Sequence, residues 1–143
     1  MATQSVQTVC VIGYQGKMGQ LAVEMLERSS TFALKGVVGR GDDLAQVLQE
    51  CNPDIVLDLS DCDAVLANAS TALRAGLRVV VGASGLTSEH YPLLQQWCKQ
   101  YGSACLIVPN FSLAACCLVR MAQQVAPYFR DCSVLDLHHA AKK

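Results

Sequence analysis

Charge is scarce in this sequence. Only 16% of its 143 residues are Asp, Glu, Lys or Arg, and 11 basic side chains against 12 acidic ones leave a formal net charge of -1. A typical domain carries about a quarter charged residues. A chain this close to neutral has no basic face that could neutralise a run of phosphates, so composition argues against a nucleic-acid partner while leaving room for one small anion in a local pocket. Long apolar runs are also missing. Nothing approaches the ~20 consecutive apolar residues that span a bilayer, and the opening MATQSVQTVC lacks the basic-then-apolar layout of a signal peptide. The expected setting is the cytoplasm, with no membrane partner. Paired C-x-x-C spacings are absent although the chain has 8 cysteines (Cys10, Cys51, Cys62, Cys98, Cys105, Cys116, Cys117 and Cys132), so no metal site is expected. Cys10 and Cys105 sit inside apolar runs, where a thiol packs as a small hydrophobe, whereas the vicinal pair Cys116 and Cys117 leaves a redox reading open. No repeat, low-complexity tract or Pro/Gly linker interrupts the chain before Asn110.

Hydrophobicity is what the sequence has in quantity, at 52% of residues, enough for a sizeable core. Short β-rich runs alternate with stretches of helical period. VQTVCVIG reads as a strand, and Met18, Leu21, Ala22, Met25 and Leu26 then predict one buried helical stripe. FALKGVV is the second strand, followed by a short helix opening at Asp42 and Asp43 with Leu44, Val47 and Leu48 inward. DIVLDLS is the third, with a helix from about Asp63 to Ala75 behind it. RVVVGAS is the fourth, after which Ser88 is the expected cap of a helix carrying Leu93, Leu94 and Trp97. ACLIVPN is the fifth. This alternation predicts an α/β fold, a Rossmann-like doubly wound parallel sheet with ligands outside the carboxyl ends of the strands. After Asn110 the pattern changes to LAACCLVRMAQQVAPYF, a predicted helix, and the strand-like CSVLDLHH. The expected organisation is a dinucleotide-binding domain over residues 1–111, then a hinge helix and only the beginning of a second, α+β domain over residues 112–143.

The segment Gly13–Gly19, GYQGKMG, lies between the first strand and first helix, where a dinucleotide fold needs a tight turn and close backbone approach to a pyrophosphate. Its spacing is G-x-x-G-x-x-G rather than the commoner G-x-G-x-x-G. Gly13, Tyr14, Gln15, Gly16, Lys17 and Met18 are therefore candidate cofactor contacts. About 20 residues beyond such a loop an acidic side chain usually takes the adenosine ribose hydroxyls. Gly39 and Arg40 hold that place here. With no carboxylate to repel a 2′-phosphate, and with Arg40 and Lys17 available to pair with one, the chemistry favours NADPH over NADH. Arg40 as a solvated loop charge paired to Asp42 or Asp43 is the bland alternative. Asp58 admits a general-base reading, yet a carboxylate at a strand end more often binds neighbouring loop amides.

At this point the sequence resembles the 4-hydroxy-tetrahydrodipicolinate reductase family, because five separated segments match that family's motifs in order. GYQGKMG resembles G-x-x-G-[RK]-M-G, DLS at Asp58 to Ser60 resembles D-F-T, and GASG at Gly82 to Gly85 resembles G-T-T-G. PNFS at Pro109 to Ser112 reproduces the family's hinge signature, and HHAAK at His138 to Lys142 matches H-H-x-x-K. Leu59, Ala83, Ser84 and Asp136 depart from the pattern without removing a catalytic group. The resemblance implies reduction of a cyclic, conjugated dicarboxylate imine to tetrahydrodipicolinate, in lysine and diaminopimelate biosynthesis, with NADPH preferred or NADH. It casts His138 and Lys142 as the proton-donating pair and His139 as a substrate contact. Ser60, Gly82, Ala83, Ser84, Val108, Pro109, Asn110 and Phe111 would complete the cofactor cleft. An imidazole that titrates near neutral pH suits the acid's task.

The family's next segment, a D-A-P-S-G-T-A stretch, would follow Lys143, where the sequence stops. The expectation is a truncated form that binds the dinucleotide with little turnover. The alternative is a non-catalytic NADP(H)-binding module acting by association or regulation, and steady-state activity separates the two. The family's tetramer interface would be mostly missing, so a different homo-oligomer is expected, such as a dimer formed by pairing the CSVLDL strand.

Overall fold

The computed structural model describes residues 5–131 together with Ser133 and Leu135. The chain divides into two compact units, Met1–Pro109 and Asn110–Lys143. In the first unit strands and helices alternate: β1 (Gln7–Ile12), α1 (Lys17–Glu27), β2 (Phe32–Val38), α2 (Leu44–Cys51), β3 (Ile55–Asp58), α3 (Val65–Arg74), β4 (Arg78–Val81), α4 (Tyr91–Tyr101) and β5 (Cys105–Ile107). The strands are the runs richest in Val, Ile and Leu, whose branched side chains suit a pleated surface covered on both faces.

All neighbouring strands pair in parallel, in the order β2-β1-β3-β4-β5. The step from β1 to β2 runs one way across the sheet and every later step runs the other. Crossovers of a single hand therefore put α1 on one face and α2, α3 and α4 on the opposite face. This is the doubly wound sheet that the alternation predicts, and its direction reverses between β1 and β3.

The larger core lies on the three-helix side. Cys10, Ile12, Val56, Val79 and Val81 from the strands meet Leu48, Val65, Ala69, Leu73 and Leu94 from the helices. Each buried aliphatic side chain of this size stabilises the fold by about 1.5–3 kcal/mol. Burial pushes the Cys10 thiol up to about 12, with Cys51 beside it adding to the effect. Burial likewise pushes Cys105 up to about 11, with Cys98 as the neighbour. Both are inert thiols packed as hydrophobes, in keeping with their apolar runs. Asp43 caps α2 through the Gln46 N–H at 3.2 Å, and left-handed Asn52 and Gly102 end α2 and α4.

Two local expectations are corrected. The α1 face turned inward is Gly19, Ala22, Val23 and Leu26, while Met18, Leu21 and Met25 are exposed. The spacing is helical as predicted but rotated by one position, because bare Gly19 is the point where the helix meets the preceding loop. Ser88 does not cap α4. His90 stands at the cap, its Nδ1 accepting the Thr87 N–H at 3.0 Å, and Pro92 occupies the first turn.

Cover on the α1 face thins across the sheet. Val11, Leu57, Val80 and Leu106 form one cross-strand row. Val11 is fully buried and Leu106 is 60% exposed. At the amino ends of the strands, the Thr8 N–H and hydroxyl both donate to Asp54 Oδ2 at 2.8 Å, clamping β1 to β3. The Thr8 amide is the main reason that the Asp54 carboxyl is held below the usual carboxylate range.

In the second unit, α5 (Leu113–Val125) is capped by Ser112, whose hydroxyl accepts the Ala115 N–H at 3.3 Å. None of its residues is buried, so its apolar side chains stay open to solvent. Cys116 and Cys117 are exposed on it as free thiols. Most of the expected CSVLDLHH strand lies outside the described residues. No helix among the described residues is long and apolar enough to cross a membrane.

Candidate functional site

Where the sheet reverses direction, the carboxyl ends of β1, β2 and β3 open into a cleft of about 660 Å³. Its walls are Ile12 at the end of β1 with Gly13, Gln15 and Gly16 beyond it, Val38 at the end of β2 with Gly39 to Asp42 and Leu44 beyond it, and Leu59 to Asp61, Ala64 and Asn68 after β3. This is the topological switch point at which open α/β sheets place their ligands. Another cleft of about 660 Å³, between α4 and β5, has no glycine loop and no charged side chain in its walls. The chemistry belongs to the first.

Gly13 has φ +80°, and a Cβ there would stand 2.7 Å from the Leu59 carbonyl oxygen and 2.9 Å from the Ser60 nitrogen. Only a bare residue lets the β1 and β3 loops touch in this way. At Gly19 a Cβ would lie 2.6 Å from Tyr14 Cα and 2.8 Å from the Gly13 carbonyl carbon. The start of α1 is thereby pressed onto the loop. Gly16, its cap, supplies no side-chain acceptor, and no acidic residue stands in the first turn. The first-turn amides thus face the cleft end of the helix with a positive partial charge and no built-in anion.

Asp58 ends β3 and is fully buried. Its Oδ1 accepts the Ser60 N–H at 2.9 Å, and its backbone carbonyl accepts the amides of Gly82 at 2.8 Å and Ala83 at 3.1 Å. Oδ2 has no hydrogen-bond partner among the described residues. Burial pushes the Asp58 carboxyl up, against the polar groups of Ser60 and Asn68 nearby that pull it down. One residue therefore ties together the loops after β3 and β4, consistent with the loop-amide reading of its position.

Of the sequence-predicted contacts, Gly13, Gln15, Gly16, Arg40 and Ser60 line the cleft. Tyr14 packs beside it, its ring 3.0 Å from where a Gly39 Cβ would stand, whereas Lys17 and Met18 begin α1 with exposed side chains outside the cleft wall. Gly82, Ala83 and Ser84 follow β4, and Val108 and Pro109 follow β5, at the same edge of the sheet but beyond the cleft. Asn110 and Phe111 open the second unit, where Asn110 Oδ1 accepts the Ser112 N–H at 2.7 Å. His138, His139 and Lys142 lie outside the described residues.

Sequence reasoning missed Asp61 and Asn68. Asn68 donates to the Ser60 hydroxyl at 3.1 Å. Asp61 stands 3.7 Å from Arg40, replacing Asp42 and Asp43 as its expected partner. Those two are otherwise engaged, Asp42 with the Gly39 amide at 2.7 Å and Asp43 as the α2 cap. The readable signal for Asp61 was a carboxylate placed between a strand end and a helix start.

Residues 7–111 match the family model described as dihydrodipicolinate reductase, N-terminus. The chain belongs to the dihydrodipicolinate reductase family. Curated relatives agree: 4-hydroxy-tetrahydrodipicolinate reductase of Coxiella burnetii is 34% identical over 94% of this chain, and that of Streptomyces coelicolor is 36% identical over the same share. The chain spans 56% of the length of the first and 54% of the second, so it corresponds to little more than half of a dihydrodipicolinate reductase. A solved structure of dipicolinate-bound dihydrodipicolinate reductase from Paenisporosarcina sp. TG-14 superposes with a TM-score of 0.75 over 89% of this chain and 56% of that one, at 23% identity. That likeness is one of fold, and it matches the doubly wound sheet.

Proposed function

We propose that the chain is the dinucleotide-binding part of a 4-hydroxy-tetrahydrodipicolinate reductase. The observation that carries this reading is the glycine-walled cleft at the reversal point of the sheet, with an uncapped helix start at one side and Arg40 at its rim. The residues fit a dinucleotide. A pyrophosphate would rest on the Gly13–Gly16 backbone and the first turn of α1, because neither glycine has a side chain to hold it off. Arg40 would take the 2′-phosphate of NADPH, which is the preferred coenzyme on this reading, with NADH as the lesser one. Bound there, the coenzyme supplies a hydride. Gly82, Ala83, Ser84, Val108, Pro109, Asn110 and Phe111 are assigned to the nicotinamide side.

The names of the relatives, and the flat ring dicarboxylate held by one neighbour, support a cyclic dicarboxylate imine as substrate. His138 is assigned as proton donor, Lys142 as the positive charge that supports it and His139 as a substrate contact. Imidazole gives and regains a proton near neutral pH, and an ammonium nearby favours the developing negative charge.

The test is titration of the 143-residue chain with NADPH, followed by coenzyme fluorescence, alongside NADPH oxidation with substrate generated in place by the preceding enzyme. Saturable binding weakened by Arg40→Ala for NADPH but not for NADH is the expected result. No saturable binding by a folded sample would refute the proposal. Turnover would place His138, His139 and Lys142 in a working geometry, whereas binding without turnover restricts this chain to the coenzyme step.

A further inference from the structure

Arg40 Nη2 and Asp61 Oδ2 face each other at 3.7 Å, and both residues line the cleft. Their anchorage is unequal. The second oxygen of Asp61 accepts the N–H groups of Asp63 at 3.2 Å and Ala64 at 3.1 Å, and its carbonyl accepts that of Val65 at 3.3 Å. The carboxylate is therefore built into the start of α3. The Arg40 side chain is 91% exposed, and Asp61 is its one ion-pair partner among the described residues. The other carboxylate of the cleft wall, Asp42, is fixed in its turn by the Gly39 amide at 2.7 Å. The rim thus holds one movable cation between two anchored anions.

We infer that Asp61 is a specificity-determining residue: a fixed carboxylate that competes with a 2′-phosphate for Arg40 and so sets the ratio of NADPH to NADH binding. The inference rests on the dinucleotide reading above. A phosphate monoester carries about two negative charges near pH 7 and draws a guanidinium strongly. When Arg40 turns to it, Asp61 loses its counter-ion and remains beside the incoming charge, held by its bonds to Asp63 and Ala64. NADH has a hydroxyl at that place. It brings no such repulsion, and the hydroxyl can donate to a carboxylate. Asp61 therefore handicaps NADPH selectively, which offsets part of what Arg40 contributes.

The test is direct titration of the full 143-residue chain with NADPH and with NADH, for wild type, Asp61→Asn and Asp61→Ser, at low and high salt. Both replacements keep an oxygen to cap α3 and remove the charge. Expected is NADPH affinity about threefold to fivefold tighter in both variants, the scale of an exposed ion pair, with NADH unchanged or weaker. At about 1 M salt, where the Debye length falls to about 3 Å, the gain should shrink toward zero. Parallel shifts of the two coenzymes, or no shift in their ratio when wild type binds both, overturn this inference alone. A folded wild-type chain that binds neither overturns the dinucleotide reading, and this inference with it.

Discussion

Gly19→Ala should destabilise the first unit although helix propensity points the other way. Alanine inside a helix is favoured over glycine by about 1 kcal/mol. At this position the added methyl would meet Tyr14 Cα at 2.6 Å and the Gly13 carbonyl carbon at 2.8 Å, with the Gly13 oxygen closer still. Carbon atoms pack at about 3.5–4.0 Å, so α1 and the loop must separate by roughly 1 Å. Overpacking against side chains costs about 1–3 kcal/mol, and backbone neighbours that cannot rotate away put this site at the upper end. Subtracting the propensity gain leaves a net loss of about 2 kcal/mol, which lowers the melting temperature by about 8 °C for a domain of this size. The same displacement carries the first-turn amides away from a pyrophosphate. Losing one charge-assisted hydrogen bond weakens NADPH by about tenfold or more. Urea unfolding and coenzyme titration of the same preparation check both effects. A variant that unfolds at or above the wild-type midpoint and binds NADPH normally would show that propensity governs and the close approach does not.

Relative to wild type, Asp58→Asn should gain stability as pH rises above the ordinary Asp range. The raised carboxyl makes the native state bind the proton more tightly than the unfolded chain, so wild-type stability falls as pH climbs from the ordinary Asp range through the folded value. Unfolding followed from the ordinary Asp range upward in pH would contradict this if wild type and variant changed in parallel. Thr8→Val removes the hydroxyl of the β1–β3 clamp, which helps to hold Asp54 low. A lowered carboxyl contributes stability above its unfolded pKa and loses it as pH falls through the folded value, so the variant's acid midpoint should lie at higher pH and its acid transition should keep less of the Asp54 contribution. An unchanged acid-unfolding curve would count against the clamp. Gly36→Ala would place a methyl 3.1 Å from Cys51 Sγ and 3.4 Å from Cys10 Sγ. The expected loss is about 1–2 kcal/mol, relieved in part by Cys51→Ala, and a double-mutant cycle with no coupling would refute that packing.

The strands were legible because parallel strands covered on both faces leave continuous runs such as VCVI, IVLD and RVVV. The glycine loop was legible for a similar reason, since Gly13 and Gly16 between a strand and a helix, with Gly19 in the first turns of that helix, mark a tight turn with close backbone approach. The inward face of α1 was not. Apolar period alone chose Met18, Leu21 and Met25, whereas docking follows Gly19, which contributes no apolar surface of its own. Asp61 was hidden because its partner Arg40 lies 21 residues earlier, brought near only by the order in which β2, β1 and β3 pair. A sequence pattern reports the neighbours along a helix or strand. It does not report which loop faces which across a sheet reversal.

The strand order also sets how long each half of the cleft edge persists between thermal openings. β1 is paired on both sides and buried from Val9 to Ile12, so its amides should exchange with deuterium only when the whole unit unfolds. Among the described residues β5 is an edge strand of three residues with Leu106 open to solvent, and β4 pairs with it. On the proposed dinucleotide reading, the pyrophosphate would rest beside slowly exchanging β1 and the nicotinamide beside the loops after faster-exchanging β4 and β5. A coenzyme held here would be gripped by its pyrophosphate through many local openings that release its ring.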